Sequence, residues 1–221
     1  MTSGKLYPQI LCMCGLLLAL CSPLFAHEPH LTNPGIRFPE RKIMILNSYH
    51  PGYAWSDAIS HAARSLLEPA GVTVREFYMD SKRHATPEEI KQAALSAKQE
   101  IDRWQPDLLI ACDDNASKYL VAPHYKDAAM PVVFCGVNGD SSVYGYPYSN
   151  TTGIEEVPLV EPLPRELRRF ARGDRLGVLS GNVLSDRRTV EYYKQVLKTP
   201  FAREVYVETF EEWMSAFRQL Q

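Results

Sequence analysis

The sequence has no excess of charge of either sign. Its 24 lysines and arginines nearly balance 26 aspartates and glutamates, which leaves a formal net charge of -2. A protein that binds along a phosphate backbone needs a concentrated positive field. The composition therefore argues against nucleic acid as a partner, while 45% hydrophobic residues suffice for one or two ordinary globular cores.

The sequence also lacks the common motifs of phosphate-binding and hydrolytic enzymes. It contains no G-x-x-x-x-G-K, G-x-G-x-x-G, G-x-S-x-G or H-E-x-x-H pattern. Its 6 histidines are scattered. Only His27 and His30 approach metal-ligand spacing, and an isolated pair in a tail rarely builds a closed site. We therefore predict that the chain is not an enzyme and that it needs no metal and no cofactor.

Cysteine is too scarce for a disulfide framework. Three of the five cysteines lie in the first 21 residues, which leaves Cys112 and Cys135. Both end apolar runs that resemble strands, where a cysteine usually serves as a small buried hydrophobic residue. We predict buried thiols, with a bridge between the two strand ends as the alternative in an oxidising compartment.

The N-terminal apolar run is too short to cross a membrane. It extends from Ile10 to Leu20, about half of the roughly 20 residues that a spanning helix needs. Lys5 precedes it, and a small-residue segment that ends at Ala26 follows it, which is typical of a secretory signal peptide. We predict a signal peptide over 1–26 with cleavage after Ala26 and a periplasmic mature protein. Lipid attachment at Cys21 is the weaker alternative, because a bulky leucine precedes that cysteine.

Beyond an extended, proline-containing leader over 27–41, apolar runs alternate with helical patterns. The helical patterns have apolar residues at three-and-four spacing, and Thr86, Pro87 and Glu89 form a typical capped helix start. Strands are predicted at 43–46, 72–78, 108–112 and 131–135, and helices at 56–67, 87–104 and 115–121. This alternation predicts an α/β fold with a parallel sheet and helices on both faces.

A Gly-, Ser- and Tyr-rich stretch interrupts the pattern and suggests a change of domain. We predict an N-terminal α/β lobe over 42–140, a linker over 141–151 and a second α/β lobe over 152–221. The second lobe has only two full predicted strands, at 175–179 and 204–208, between helices at 163–170, 184–197 and 211 onward. Since sheets usually contain more strands, we expect two lobes of which the second is incomplete.

Polar side chains follow each of the first four predicted strands. In open parallel sheets, ligands bind where the carboxyl ends of strands meet the amino ends of helices. The alternative for any one residue is a local role, because Asp, Asn and Ser also cap helices and stabilise turns. The residues are 47–49 after the first strand, 80–83 after the second, 113–115 after the third, and Asn138 and Asp140 after the fourth.

As a set, five stretches between residues 42 and 156 resemble the ABC-transporter substrate-binding protein family with the type I periplasmic-binding fold. Similar segments occur in extracytoplasmic sensor regions of bacterial histidine kinases and diguanylate cyclases. The stretches are NSYHPGY at 47–53 with Trp55 and Asp57, MDSKR at 79–83, CDDNA at 112–116, PVVFCGVN at 131–138 and TGIEE at 152–156.

The resemblance implies a two-lobed clamp with a ligand in the cleft between the lobes. It implies capture of a small polar organic solute, for example an amino acid, for an ABC permease. The alternatives are the input domain of a signalling system and a truncated, non-functional remnant, because the similarity fades after residue 156. The implied ligand-binding residues are Ser48, Tyr49, Asp113, Asp114, Asn115, Asn138 and Glu155.

Overall fold

The computed structural model describes residues 37–171 and 173–220. The predicted signal peptide, its cleavage site at Ala26, Cys21 and most of the predicted leader lie outside the described residues. Among the helices that are described, none has the length and apolar character needed to cross a bilayer.

Five strands form one sheet in which every neighbouring pair is parallel. The spatial order is β2-β1-β3-β4-β5. The strands are β1 (Lys42–Asn47), β2 (Thr73–Tyr78), β3 (Leu108–Cys112), β4 (Val132–Asn138) and β5 (Thr151–Glu156). The order along the chain reverses between β1 and β3, so a crevice opens at the carboxyl ends of these two strands.

Three helices connect the first four strands. Helix α1 spans Ala54–Leu67 and α2 spans Pro87–Trp104. The predicted start of α2 is confirmed, because the Thr86 hydroxyl accepts a hydrogen bond from the Glu89 amide and the Glu89 carboxylate accepts one from the Thr86 amide. Helix α3 follows β3 without a loop and consists of Asp113–Ala116, a π-helical stretch Ser117–Val121 and a last turn Ala122–His124.

The first sheet is covered on both faces, as the sequence predicts. On one face, Met44 and Leu46 are fully buried among residues of α2 and α3, such as Ile101 and Leu120. On the other face, Ile45 packs with Val72, Val74 and the apolar side of α1. The uninterrupted apolar run in β1 is therefore explained by burial on both sides.

The sequence predicts that residues 152–221 belong to the second lobe. In the structure, however, residues 151–156 form the fifth strand of the first sheet. Strand β5 pairs with β4, and the register shifts between Cys135 and Val137, around Gly136. The mostly exposed residues of β5 fit an edge strand rather than a buried one, and for that reason its sequence lacks a continuous apolar run. The other domain boundaries stay predictions.

A second group of elements follows β5. It contains α4 (Leu163–Arg168), β6 (Gly177–Gly181), α5 (Leu184–Leu197), β7 (Arg203–Val207) and α6 (Phe210–Leu220), and β6 pairs with β7 in parallel. Of the side chains described in these elements, only Ser185, Val190 and Ala216 are buried. This region therefore has a much smaller core than the first sheet.

Candidate functional site

A cavity of about 200 Å³ lies at the carboxyl ends of the first sheet. Three aromatic side chains line it, Tyr49 and Tyr53 from the loop after β1 and Trp55 from the start of α1. Its polar lining from the same region consists of Lys82, Asp113, Asn138 and Glu156. These residues follow or end four different strands, so the cavity occupies the place where parallel sheets usually bind ligands.

The opposite wall comes from the first turns of α5. Ser185, Asp186 and Thr189 line the cavity there. The Thr189 hydroxyl lies 3.0 Å from the Asn138 side-chain oxygen, and Lys82 lies 3.9 Å from Asp186. Arg188 adds further polar contacts between α5 and the first sheet, because it donates hydrogen bonds to the backbone carbonyls of Asn138 and Asp140.

Gly139 lets α5 approach the end of β4 closely. Its φ is +66°, in the left-handed region that favours glycine, and a Cβ added there would lie only 3.2 Å from the Tyr192 side chain. The close contact places the first turns of α5 over the strand ends. The sequence NGD at 138–140 thus positions the second wall.

Asp113 is the least satisfied polar side chain of the cavity. The residue is only 2% exposed, and its Oδ2 atom is buried without a hydrogen-bond partner. Burial, with smaller contributions from Cys135, Asp114 and Glu156, raises the pKa of its carboxyl to about 8, and a hydrogen bond from the Tyr49 hydroxyl opposes the rise. Its φ of +71° is uncommon for a residue with a Cβ. The backbone here holds an acid with one unpartnered oxygen, Oδ2, beside the cavity.

The bulge at Gly136 makes room for this carboxyl group. Gly136 has a φ of +68°, and an added Cβ would lie 3.1 Å from Asp113 Oδ1 and 3.4 Å from Trp55 Nε1. A side chain at this position would therefore push on the acid and on the aromatic wall at once. Glycine in a strand interior often marks such a close approach.

Asp114, next in sequence, has the opposite environment. It is only 1% exposed, but its carboxylate accepts hydrogen bonds from Asn138 Nδ2 at 2.6 Å and from the Tyr144 hydroxyl at 2.8 Å. Burial raises the pKa of Asp114, and these two hydrogen bonds oppose the rise. Asp114 therefore ties α3 to β4 and to the loop after it, and it does not line the cavity.

Ser48, Ser81 and Asn115 form a buried hydrogen-bonded group behind the cavity. The Ser48 hydroxyl donates to the Cys112 carbonyl at 2.6 Å and accepts from the Ala116 amide at 2.9 Å. Ser81 donates to the Ser48 carbonyl at 2.7 Å and accepts from Asn115 Nδ2 at 2.8 Å. These contacts join the ends of β1 and β3 and the segment after β2 to the first turn of α3. Their role is to hold the wall in place.

Tyr49 and Lys82 form a stacked pair at the cavity. The Lys82 ammonium lies 4.7 Å from the centre of the Tyr49 ring and 5.5 Å from that of Tyr53. Such distances allow cation–π attraction. Burial, and secondarily the Asp113 carboxyl, raise the pKa of the Tyr49 hydroxyl, so this hydroxyl stays protonated and can donate a hydrogen bond.

Cys112 and Cys135 are free thiols with sulfur atoms 3.6 Å apart. They are register partners on β3 and β4, and Cys112 is buried while Cys135 is half-buried. The structure therefore places both thiols beside the strand ends that carry the cavity.

Within the described part of the chain, no three His, Cys, Asp or Glu side chains form a group that could hold a metal ion.

The structure brings three of the seven sequence-derived candidates, Tyr49, Asp113 and Asn138, to the cavity. Ser48, Asp114 and Asn115 lie behind them and bond within the protein. Glu155 is exposed and accepts a hydrogen bond from the Ser141 amide at 2.7 Å. Its neighbour Glu156 lines the cavity instead, because successive side chains of a strand point to opposite faces.

The seven ligand-binding residues that the resemblance implies do not include the other lining residues. Trp55 and Lys82 lie within the stretches that carry the family resemblance, and Tyr53 lies in the same loop as Tyr49. Their position in these loops therefore indicates that they lie near the cavity. Ser185, Asp186 and Thr189 follow a strand of the second region, after Val183. No local pattern distinguishes them from an ordinary helix start.

Solved structures share this fold at low sequence identity. A solute-binding protein of an ABC transporter from Rhodopseudomonas palustris BisB5, in complex with 3,4-dihydroxybenzoic acid, is 12% identical with a TM-score of 0.58, over 81% of this chain and 52% of that one. Another from R. palustris, in complex with benzoate, gives 12% identity and a TM-score of 0.59, over 81% and 51%. An amino acid ABC transporter substrate-binding protein from Pseudomonas fluorescens Pf-5 gives 13% and 0.55, over 84% and 51%.

These similarities define the class of fold. The chain has the type I periplasmic-binding fold, as its resemblance to ABC-transporter substrate-binding proteins implies. It spans about half the length of the solved structures it matches. No family model and no curated protein sequence matches it.

Proposed function

We propose that the chain binds a small organic solute in the cavity between the first sheet and α5, and that it releases the solute unchanged. The observation that carries the proposal is the convergence of side chains from five strand ends and from α5 on one cavity. Aromatic walls with a few polar groups are typical of small-molecule sites. The volume of about 200 Å³ suits a ligand smaller than most drugs.

The two walls suggest how binding is coupled to a change in shape. The first wall is part of a buried sheet, whereas the second is attached through Thr189, Arg188, Lys82 and the close packing of Tyr192 on Gly139. A ligand that contacts both walls favours the arrangement in which they are close together. Hinge closure of this kind is a common response of binding proteins to their ligands.

We further propose that the mature protein acts outside the cytoplasm and delivers its solute to an ABC permease. The signal-peptide pattern that ends at Ala26 supports export. The ABC-transporter origin of the solved structures with this fold supports the uptake role. A sensor input domain would use the same cavity but pass the closed state to a signalling partner, so the two roles differ in the partner and not in the ligand site.

Catalysis is not part of the proposal, because the cavity lacks an activated nucleophile in the part of the chain that is described. The Tyr49 hydroxyl is held protonated by burial and by the nearby acid. Ser185 donates a hydrogen bond to Asp186 at 3.3 Å, but no histidine lines the cavity to complete a proton-transfer group. The groups present can position a ligand by hydrogen bonds, ion pairs and aromatic contact.

A thermal-shift screen of the full chain against amino acids, aromatic acids, amines, nucleosides and sugars tests this proposal. A ligand that binds only the folded state raises the melting temperature, and we expect at least one small solute to do so. Glu156→Gln should reduce the shift, while Glu155→Gln, one residue earlier on the opposite face, should leave it unchanged. If no solute shifts the wild-type chain, or if a solute is converted to product, the binding proposal is wrong.

A further inference from the structure

The cavity carries more acidic than basic groups. Three carboxyl side chains line it, Asp113, Glu156 and Asp186, against a single lining cation, Lys82. Lys82 already faces Asp186 at 3.9 Å. The remaining two acids face the cavity without a basic partner among its lining residues, so once Asp113 is ionised the charge balance favours a cationic ligand group over an anionic one.

Asp113 offers the most specific contact for such a group. Its Oδ2 atom has no hydrogen-bond partner although the residue is 98% buried, since its exposed fraction is 2%. An unpaired buried acceptor costs free energy that a donor from a ligand would recover. The positive φ of this residue adds backbone strain, which persists where the surrounding structure holds a functional group in place.

The aromatic walls fit the same chemistry. The faces of Tyr49 and Tyr53 already accept an ammonium group, that of Lys82, at 4.7 and 5.5 Å. The same ammonium also faces Asp186, so the cavity stabilises a positive amine through ring faces as well as through charge. Trp55, which is 40% exposed, adds an apolar surface at the mouth.

From the unpaired Asp113 carboxyl, the acidic lining and the aromatic faces, we propose that the solute is a small organic amine whose protonated amino group pairs with Asp113. The apolar part of the ligand packs against Tyr53 and Trp55. This inference rests on the proposed binding function and names the chemical class of its ligand. It differs from the anion, benzoate, in one of the solved structures with the same fold.

Three probes of similar size distinguish the amine from other chemistries. Benzylamine is a cation, benzyl alcohol its neutral counterpart, and benzoate an anion. Calorimetric titration of the full chain at about pH 8, where about half of Asp113 is ionised, should show benzylamine binding at least about tenfold more tightly than the other two, since a ligand charge paired with a buried acid typically contributes more than 1.4 kcal/mol. Asp113→Asn should remove this preference, because the amide presents no charge.

The pH dependence gives a second readout that a merely structural role would not move. Asp113 has a pKa of about 8, so its carboxyl must lose a proton to pair with an ammonium group. Between about pH 6 and about pH 8 the ionised fraction rises, and benzylamine should bind roughly 50-fold more tightly at the higher value. The Asp113→Asn chain should show no such rise. The other titratable or charged groups that face the acid or line the cavity are Tyr49, Tyr53, Lys82, Cys112, Asp114, Cys135, Glu156 and Asp186.

The outcomes separate this inference from the proposed function. Tightest binding of benzoate, or equal binding of all three probes by the wild-type chain and by Asp113→Asn, would overturn the amine assignment and leave solute binding intact. If none of the probes binds while another solute in the thermal-shift screen does, the amine assignment also fails. Glu155→Gln serves as the matched control, and it should keep both the preference and the pH dependence.

Discussion

The two regions of the molecule differ sharply in how much they bury. In the five-stranded region, Met44, Ile45, Leu46 and Leu109 are fully buried, and hydrogen bonds join the strand ends to one another. In the region around β6 and β7, Val190 and Ala216 are the only buried hydrophobic side chains described. Phe170 is 85% and Phe210 71% exposed there.

This difference gives the cavity one firm wall and one loosely attached wall. Buried apolar surface and satisfied polar groups fix the first wall. The second depends on a few polar contacts and on the packing at Gly139. In the proposed function, the firm wall defines the position of the ligand and the second wall moves when the cavity closes.

The largest effect should come from removing the carboxylate that braces the firm wall. Asp114→Ala leaves the Asn138 amide and the Tyr144 hydroxyl without their acceptor in a buried position. We expect the free energy of unfolding to fall by about 3 kcal/mol, since each lost bond to a charged group costs about 1.5–3 kcal/mol. Urea unfolding followed by circular dichroism measures the change.

Asp174→Ala is the matched control for Asp114, since Asp174 is an exposed aspartate of the second region. Its substitution should change stability by less than about 0.5 kcal/mol. Equal effects of the two changes would mean that the hydrogen bonds of Asp114 do not brace the wall. The first wall of the cavity would then be held no more firmly than the second.

Most of the first region could be predicted from the sequence, because its signals are local. The apolar run at 43–46, the cap at Thr86 and the alternation of strands and helices all reflect contacts within or between adjacent elements. The sequence does not predict that β5 belongs to the first sheet, because an edge strand carries no continuous apolar run. The fold class is confirmed by solved structures with the same fold.

The site was predictable only in part, for geometric reasons. The sequence shows that Asp113, Asp114 and Asn115 follow a strand, but not which of them faces the cavity and which faces the protein. The choice between Glu155 and Glu156 depends on strand orientation. The residues of α5 reach the cavity through long-range packing between Gly139 and Tyr192. A single sequence does not reveal which distant residues pack together, so these lining residues could not be predicted.

The second prediction concerns Asp113, whose buried Oδ2 atom has no hydrogen-bond partner. The pKa of Asp113 is raised to about 8, so between pH 4 and 8 the folded chain binds a proton here that the unfolded chain has lost. Its contribution to stability is therefore complete at low pH and is lost as the pH rises toward about 8. Asp113→Asn does not titrate, and it should gain about 2 kcal/mol relative to wild type between about pH 6 and about pH 8.

Chemical unfolding of both chains at several pH values checks this expectation. The difference between the two chains isolates Asp113, because the other titratable groups are common to both. A difference that stays constant with pH, or that changes in the opposite direction, would show that the acid is ionised and paired in the folded protein. Asp113 would then resemble Asp114, and the cavity would have no unsatisfied acid.

The smallest effect should come from the loose wall. Thr189→Val keeps the shape of the side chain but removes the hydroxyl that lies 3.0 Å from the Asn138 side-chain oxygen. We expect a loss of stability of about 1 kcal/mol, the usual net contribution of one neutral hydrogen bond. Affinity for a solute found in the screen should fall as well, because Asn138 loses a contact that orients it and α5 is held less closely to the first sheet.

Thr199→Val is the control for this change, since Thr199 is exposed beyond the end of α5 and away from the cavity lining. It should alter neither stability nor affinity by a measurable amount. A Thr189→Val chain with unchanged stability and unchanged affinity would show that α5 is held by its other contacts, namely the packing of Tyr192 on Gly139, the hydrogen bonds of Arg188 and the Lys82–Asp186 pair. A change in affinity without a change in stability would instead show that the hydroxyl contacts the solute directly, since the loss would then appear only when the cavity is filled.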